Sequence, residues 1–268
     1  MKSSKLTTAS ATALTQAAAF TRATAWAALA ALSTLAVSTA QAADAPHPDF
    51  SGVWTWNREN GGAGRADMAW PKDPPFTPLG KAKVAEYRAL VEPQGLTPGG
   101  ACVGYGMPAS MLGSGGYPME WIQRPEQVTV IYEAHNEVRR IYIDQPRPDP
   151  KDLVPSRDGS SFGHWEGSTL VVETVALKEA VDQSSAHSDQ AKVVERYQIG
   201  KDDKGRKILT AEMVLTDPVF YTKPVSATKK WLALEGGRLL PYECTEPQWE
   251  DQLDKLRADA KAAAAKKP

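Results

Sequence analysis

The sequence predicts a mainly β protein: an antiparallel β-barrel with one short internal helix and a helical C-terminal tail. Three observations predict it. From residue 119 onward, short runs rich in Val, Ile, Tyr and Trp recur with period-two alternation. Turn residues such as His135-Asn136, Gly167-Ser168, Lys204-Gly205 and Gly236-Gly237 separate the runs. Twenty glycines and twenty prolines leave little room for long helices. Hairpins in series build a barrel or a sandwich, and closure into a barrel removes the open edges that a large antiparallel sheet would leave.

The elements follow in chain order. Residues 1–42 read as a secretory signal: Lys2 and Lys5, an apolar run from Ala25 to Val37, then the small-residue site Ala40-Gln41-Ala42. The expectation is an exported, periplasmic protein starting near Ala43. No later stretch offers the roughly 20 apolar residues of a membrane span. Residues 43–248 form one expected barrel domain, followed by a helical tail from Trp249. Phe50–Trp56 reads as the first strand, and its Gly52-Val53-Trp54 resembles the opening strand of lipocalin-type barrels. Thr77 can cap a helix with Pro78 at its first position; Leu90 ends it and Pro93 stops it. Gly/Pro-rich chain runs from 92 to 118. Strands are expected at 119–124, 127–133, 137–144, 160–165, 169–175, 192–199, 206–216, 228–234 and 238–243, with a Pro-rich loop over 145–159.

Composition excludes some functions. A formal net charge of −1 with no basic stripe gives no footprint for nucleic acid. Cys102 and Cys244 are the two cysteines, and in an oxidising compartment such a pair predicts a disulfide, with two free thiols as the alternative. Eight tryptophans either fill a core or line an apolar cavity.

Several segments resemble, in order, a large group of exported bacterial proteins marked by a Gly-His-Trp-Glu-Gly block. They are Pro118–Gln123 with Val128–Glu133, Glu137–Tyr142, Gly163-His164-Trp165-Glu166-Gly167 with Leu170–Thr174, His187-Ser188-Asp189, Val194–Tyr197, and Asp217-Pro218 with Tyr221–Pro224. The resemblance implies an exported, β-rich domain. This chain has Ser168 where the group usually has Asp, and Gln145 where it has Gly.

The candidate chemistry centres on that block. Histidine titrates near neutrality and suits acid/base work. His164 is the candidate base, with Glu173 on the neighbouring strand to orient it. His187 or Arg196 would supply the acid or stabilise an oxyanion. Glu195 and Arg196 face opposite ways, so one of them should enter the barrel, where a lone charge is costly. The structural alternative is a His164–Glu173 pair that simply satisfies itself across the hairpin. Trp121, Tyr132, Tyr142, Trp165 and Tyr197 lie on expected strands and are candidate ligand-binding residues, or ordinary core. Two His and a Glu would suit zinc, but no metal-ligand spacing is present and no cofactor motif appears. Two functions follow: a cofactor-independent lyase or isomerase acting on a small hydrophobic or aromatic molecule, or a lipocalin-like periplasmic binding protein for a small apolar ligand.

Overall fold

Alternation along the strands sets the architecture. In the computed structural model, which describes residues 47–56, 70–113, 116–183 and 185–265, nine strands close a barrel in sequence order. They are β1 (Gly52–Trp56), β2 (Met119–Arg124), β3 (Gln127–Tyr132), β4 (Val138–Ile143), β5 (Ser160–Glu166), β6 (Thr169–Val175), β7 (Lys192–Lys201), β8 (Lys207–Thr216) and β9 (Val225–Ala233). β1 closes the ring, pairing with β2 on one side and with β9 on the other, where Trp56 lies opposite Trp231. The expected signal segment lies outside the described residues.

The barrel matches the expected fold class, with local differences. β4 and β5 run parallel, with Ile141 opposite Ser161 and Ile143 opposite Gly163. Parallel neighbours need a connection that travels back along the sheet, and the Pro-rich segment after β4 is long enough to make it. Residues 238–243, expected as a strand, form none. β9 instead starts at Val225, and the C-terminal helix α3 (Thr245–Ala265) starts four residues before Trp249. No helix among the described residues is long and apolar enough to cross a membrane.

Inward positions carry the core. Trp54, Met119, Trp121, Val128, Val130, Tyr132, Ile141, Leu170, Val172, Val193, Tyr197, Leu209 and Met213 are all essentially inaccessible. One end of the barrel is plugged by Met107, Met111 and Leu112, the last two on the short helix α2 (Ala109–Leu112). The other carries Phe50, which lies 5.6 Å from Trp165.

Helix α1 (Pro78–Val91) forms as the sequence predicts. Thr77 Oγ1 accepts from Gly80 N at 3.1 Å and donates to Val219 O at 2.6 Å, so one hydroxyl both caps the helix and ties it to the turn after β8. A Cβ on Gly80 would lie 2.7 Å from Phe220 O; glycine is what lets the helix lie flat there.

Gly163 shows the same constraint inside the barrel. A Cβ there would meet Ile143 Cδ1 at 2.9 Å and Ile141 Cγ2 at 3.1 Å. Gly163→Ala is therefore expected to destabilise the protein by about 1–3 kcal/mol through overpacking. Urea denaturation reads the change, and an unaltered midpoint would contradict this packing.

Candidate functional site

The barrel interior holds a buried ion pair. Arg139 enters from β4 beside Ile141 and Ile143, and Glu195 enters from β7 beside Val193 and Tyr197. Both side chains are essentially inaccessible. Arg139 Nη2 donates to Glu195 Oε2 and, at 2.8 Å, to Thr174 Oγ1. Nη1 reaches Glu195 Oε1 at 3.1 Å and Tyr197 Oη at 3.3 Å, and Nε donates to Ser161 Oγ at 3.0 Å. Tyr197 Oη donates to Glu195 Oε1 at 2.5 Å. All three guanidinium nitrogens are engaged, and both carboxylate oxygens accept. Burial opposes the charge on Arg139, but the carboxylate against it wins and raises its pKa. Burial, then Glu195, pushes the Tyr197 phenol well above its ordinary value. A network this densely satisfied holds structure; the guanidinium has no N–H left to offer a substrate.

The expected site residues are not brought together. His164 projects outward from β5 and is more than half exposed; its Nε2 lies 3.3 Å from Glu166 Oε1. Glu173 does not orient it. In the β5–β6 register Glu173 sits opposite Phe162, and its carboxylate is taken by Arg147 and Lys192. Arg196 is also outside, donating to Glu166 Oε2 at 2.6 Å. His187 is buried in a different place, the segment after β6, where Nδ1 donates to Ser185 O at 3.0 Å. Burial lowers its pKa. Glu195 is the one of the Glu195–Arg196 pair that enters the barrel, a choice that the alternation left open. Of the five aromatics, Trp121, Tyr132 and Tyr197 are buried core, with Trp121 and Tyr197 edge to face at 4.9 Å. Tyr142 lies on the outer side of β4, 6.0 Å from Phe162. Trp165 stacks on His47 at 4.3 Å.

The Gly-His-Trp-Glu-Gly block is thus a hairpin built for packing. Gly163 makes room for two isoleucines, Trp165 packs at the barrel end against Phe50 and His47, and Gly167 turns the chain at φ 60°. Its two polar side chains, His164 and Glu166, face away from the interior.

Among the described residues, a concave surface is found outside the barrel. A groove of about 500 Å³ opens between α1 and two irregular segments, 96–105 and 181–183. Tyr87, Val91, Leu96, Pro98 and Val181 line its walls. Arg157 and Asp182 also line it, joined at 2.7 Å. Three contacts fix the irregular walls. Arg157 donates to Gly104 O at 2.9 Å and to Tyr105 O at 3.3 Å; Gln183 donates to Tyr105 O at 2.8 Å. The disulfide between Cys102 and Cys244 ties the 96–105 segment to the start of α3, as the cysteine pair predicted. Ala180 and His187 exchange two backbone hydrogen bonds behind the other wall.

One ionisable group stands out near the barrel. Asp158 precedes β5, and burial first, then the nearby Glu137, pushes its carboxyl up to about 6. Asp158 Oδ1 and Tyr132 Oη are buried without a hydrogen-bond partner among the described residues. Sequence reasoning passed over Arg139, Asp158, Arg157 and Lys229. Two left a signal: Arg139 shares the inward face with Ile141 and Ile143, and Lys229 shares one with Ala227 and Trp231. Lys229 is buried with its Nζ 4.1 Å from the Trp56 ring centroid, a cation–π contact. Among the described residues no group of three or more His, Cys, Asp and Glu side chains is placed to hold a metal.

No protein-family model, curated protein or solved structure matches this chain.

Two outcomes follow from the interior. Glu195→Ala strands a buried guanidinium and is expected to cost about 3–5 kcal/mol, while His164→Ala, an exposed change, stays within about 0.5 kcal/mol. Chemical denaturation of both variants checks the ranking, and equal effects would contradict it. Asp158 has a folded pKa raised above its unfolded value of 3.8, so the folded state binds the proton more tightly. Stability through this group therefore grows as pH falls through about 6 towards 4. Asp158→Asn should be more stable than the parent near pH 8, by at most about 3 kcal/mol. The advantage should vanish by about pH 4, and urea melts across that range read the crossover.

Proposed function

We propose that this protein is an exported binding protein for a small, largely apolar molecule, and that its ligand lies in the groove beside α1 rather than among the expected barrel residues. The observation that carries this reading is the groove itself. Its volume of about 500 Å³ is in the range of small-molecule sites, its walls are mostly apolar, and a few polar groups converge at one place. The barrel then serves as a rigid scaffold for loops that recognise the ligand. The disulfide accords with an oxidising compartment.

A second reading, the acid/base lyase or isomerase, is favoured by Asp158. A carboxyl that titrates near 6 can both give and take a proton around neutral pH, and the unpartnered Tyr132 hydroxyl shares its electrostatic field. Under this reading Asp158, not His164, is the base.

Val91 is half-buried on α1 and lines the groove, so Val91→Trp should fill the space at little cost to folding. Native mass spectrometry of protein purified from its own periplasm is expected to show a retained small molecule in the parent and none in Val91→Trp. Retention in both, or in neither, would contradict the assignment.

A further inference from the structure

Resting on the groove reading, we propose that the ligand is an uncharged ring compound bearing a carbonyl or hydroxyl oxygen, which accepts a hydrogen bond from Arg157. The charges around the groove support this. Glu92 lies 3.9 Å from Arg88 and Asp182 2.7 Å from Arg157. These two acids and two bases are the charged residues of the lining, which therefore carries no net charge. An anionic ligand at Arg157 would sit beside the Asp182 carboxylate that already balances this guanidinium, and a cation would have to take Asp182 away from it. The Asp182 side chain is only 9 % exposed, so water does little to screen that repulsion or to replace the lost partner.

Neutral polarity is still available. Arg157 spends Nε on Gly104 O and Nη2 on Tyr105 O and Asp182. Nη1 makes no hydrogen bond among the described residues, although the side chain is about a third exposed at the groove. A guanidinium nitrogen held in place by two carbonyls and a carboxylate is preorganised to donate to one more acceptor. Tyr87 stands near the same point: burial raises its pKa, Asp182 adds to the effect and Arg157 opposes it. Its ring offers a flat face, and Val91, Leu96, Pro98 and Val181 complete an apolar slot suited to a ring system.

The test is calorimetric titration of the intact protein with four probes sharing one ring: 2-naphthol, naphthalene, 2-naphthoate and 2-naphthylmethylamine. The expected order puts 2-naphthol first. Deleting its oxygen, as in naphthalene, should weaken binding about tenfold or more, the worth of a hydrogen bond to a charged donor. Both charged probes should bind about tenfold more weakly than 2-naphthol. Removing the acceptor from the ligand tests Arg157 without disturbing the wall that Arg157 supports. In Val91→Trp all binding should be lost. If 2-naphthoate or the amine binds as tightly as 2-naphthol and Val91→Trp blocks it, the neutral class is overturned while the groove reading stands. The class is equally overturned if naphthalene matches 2-naphthol. If no probe binds, or Val91→Trp blocks none, the groove reading falls and the ligand class with it.

Discussion

Arg139 and Glu195 meet inside the barrel, and the registers of β4, β5, β6 and β7 depend on that meeting. Strand alternation means that a one-residue slip sends a side chain to the opposite face. A slip of β7 would expose Glu195 and bury Arg196 in its place, beside an Arg139 with no counter-charge. A slip of β5 or β6 would remove Ser161 or Thr174 from the guanidinium. The pair therefore fixes four strands relative to one another, including the parallel β4–β5 contact that no hairpin turn specifies. Whether or not it adds net stability, an ion pair of this kind discriminates strongly against misregistered barrels, because breaking it leaves a buried charge.

The same pair decides where function can reside. Had Glu195 been alone in the interior, it would have been the natural catalytic carboxylate. Its saturation by Arg139 and Tyr197 removes it from that role, and it leaves Trp121 and Tyr197 as packing around a structural network. Under the proposed reading, recognition lies at the rim. There the chain is irregular because it is Gly- and Pro-rich, and it holds its shape through a disulfide, the Arg157 contacts and the bridge between Ala180 and His187. The outer groove and the inner network are two uses of arginine. One is fully engaged and silent, the other has a nitrogen to spare.

Much of the fold was legible in the sequence, since it rests on local rules. Period-two runs and turn residues gave the strands, Thr77-Pro78 gave the helix start, and the isolated cysteine pair gave the disulfide. The side of Glu195 was legible only as a choice between Glu195 and Arg196; burial of Val193 and Tyr197 resolved it. His164 was misjudged for the same reason in reverse. Phe162, His164 and Glu166 share a face, but alternation alone does not say which face is inside. The small residues Ser161 and Gly163, which yield space to Ile141 and Ile143, were the clue to the answer. The groove was not legible at all: it brings α1, 96–105, 157 and 181–183 together through long-range contacts, and no local pattern encodes that meeting.

The central claim is that recognition lies outside the barrel while the interior is structural. The most direct measurement is a crystal structure of the protein isolated from its native cells with whatever molecule it retains. The account predicts ligand density against Tyr87, Val91 and Arg157, with the Arg139–Glu195 network unchanged. Density within the barrel, contacting Tyr132 or displacing Tyr197 from Glu195, would contradict it.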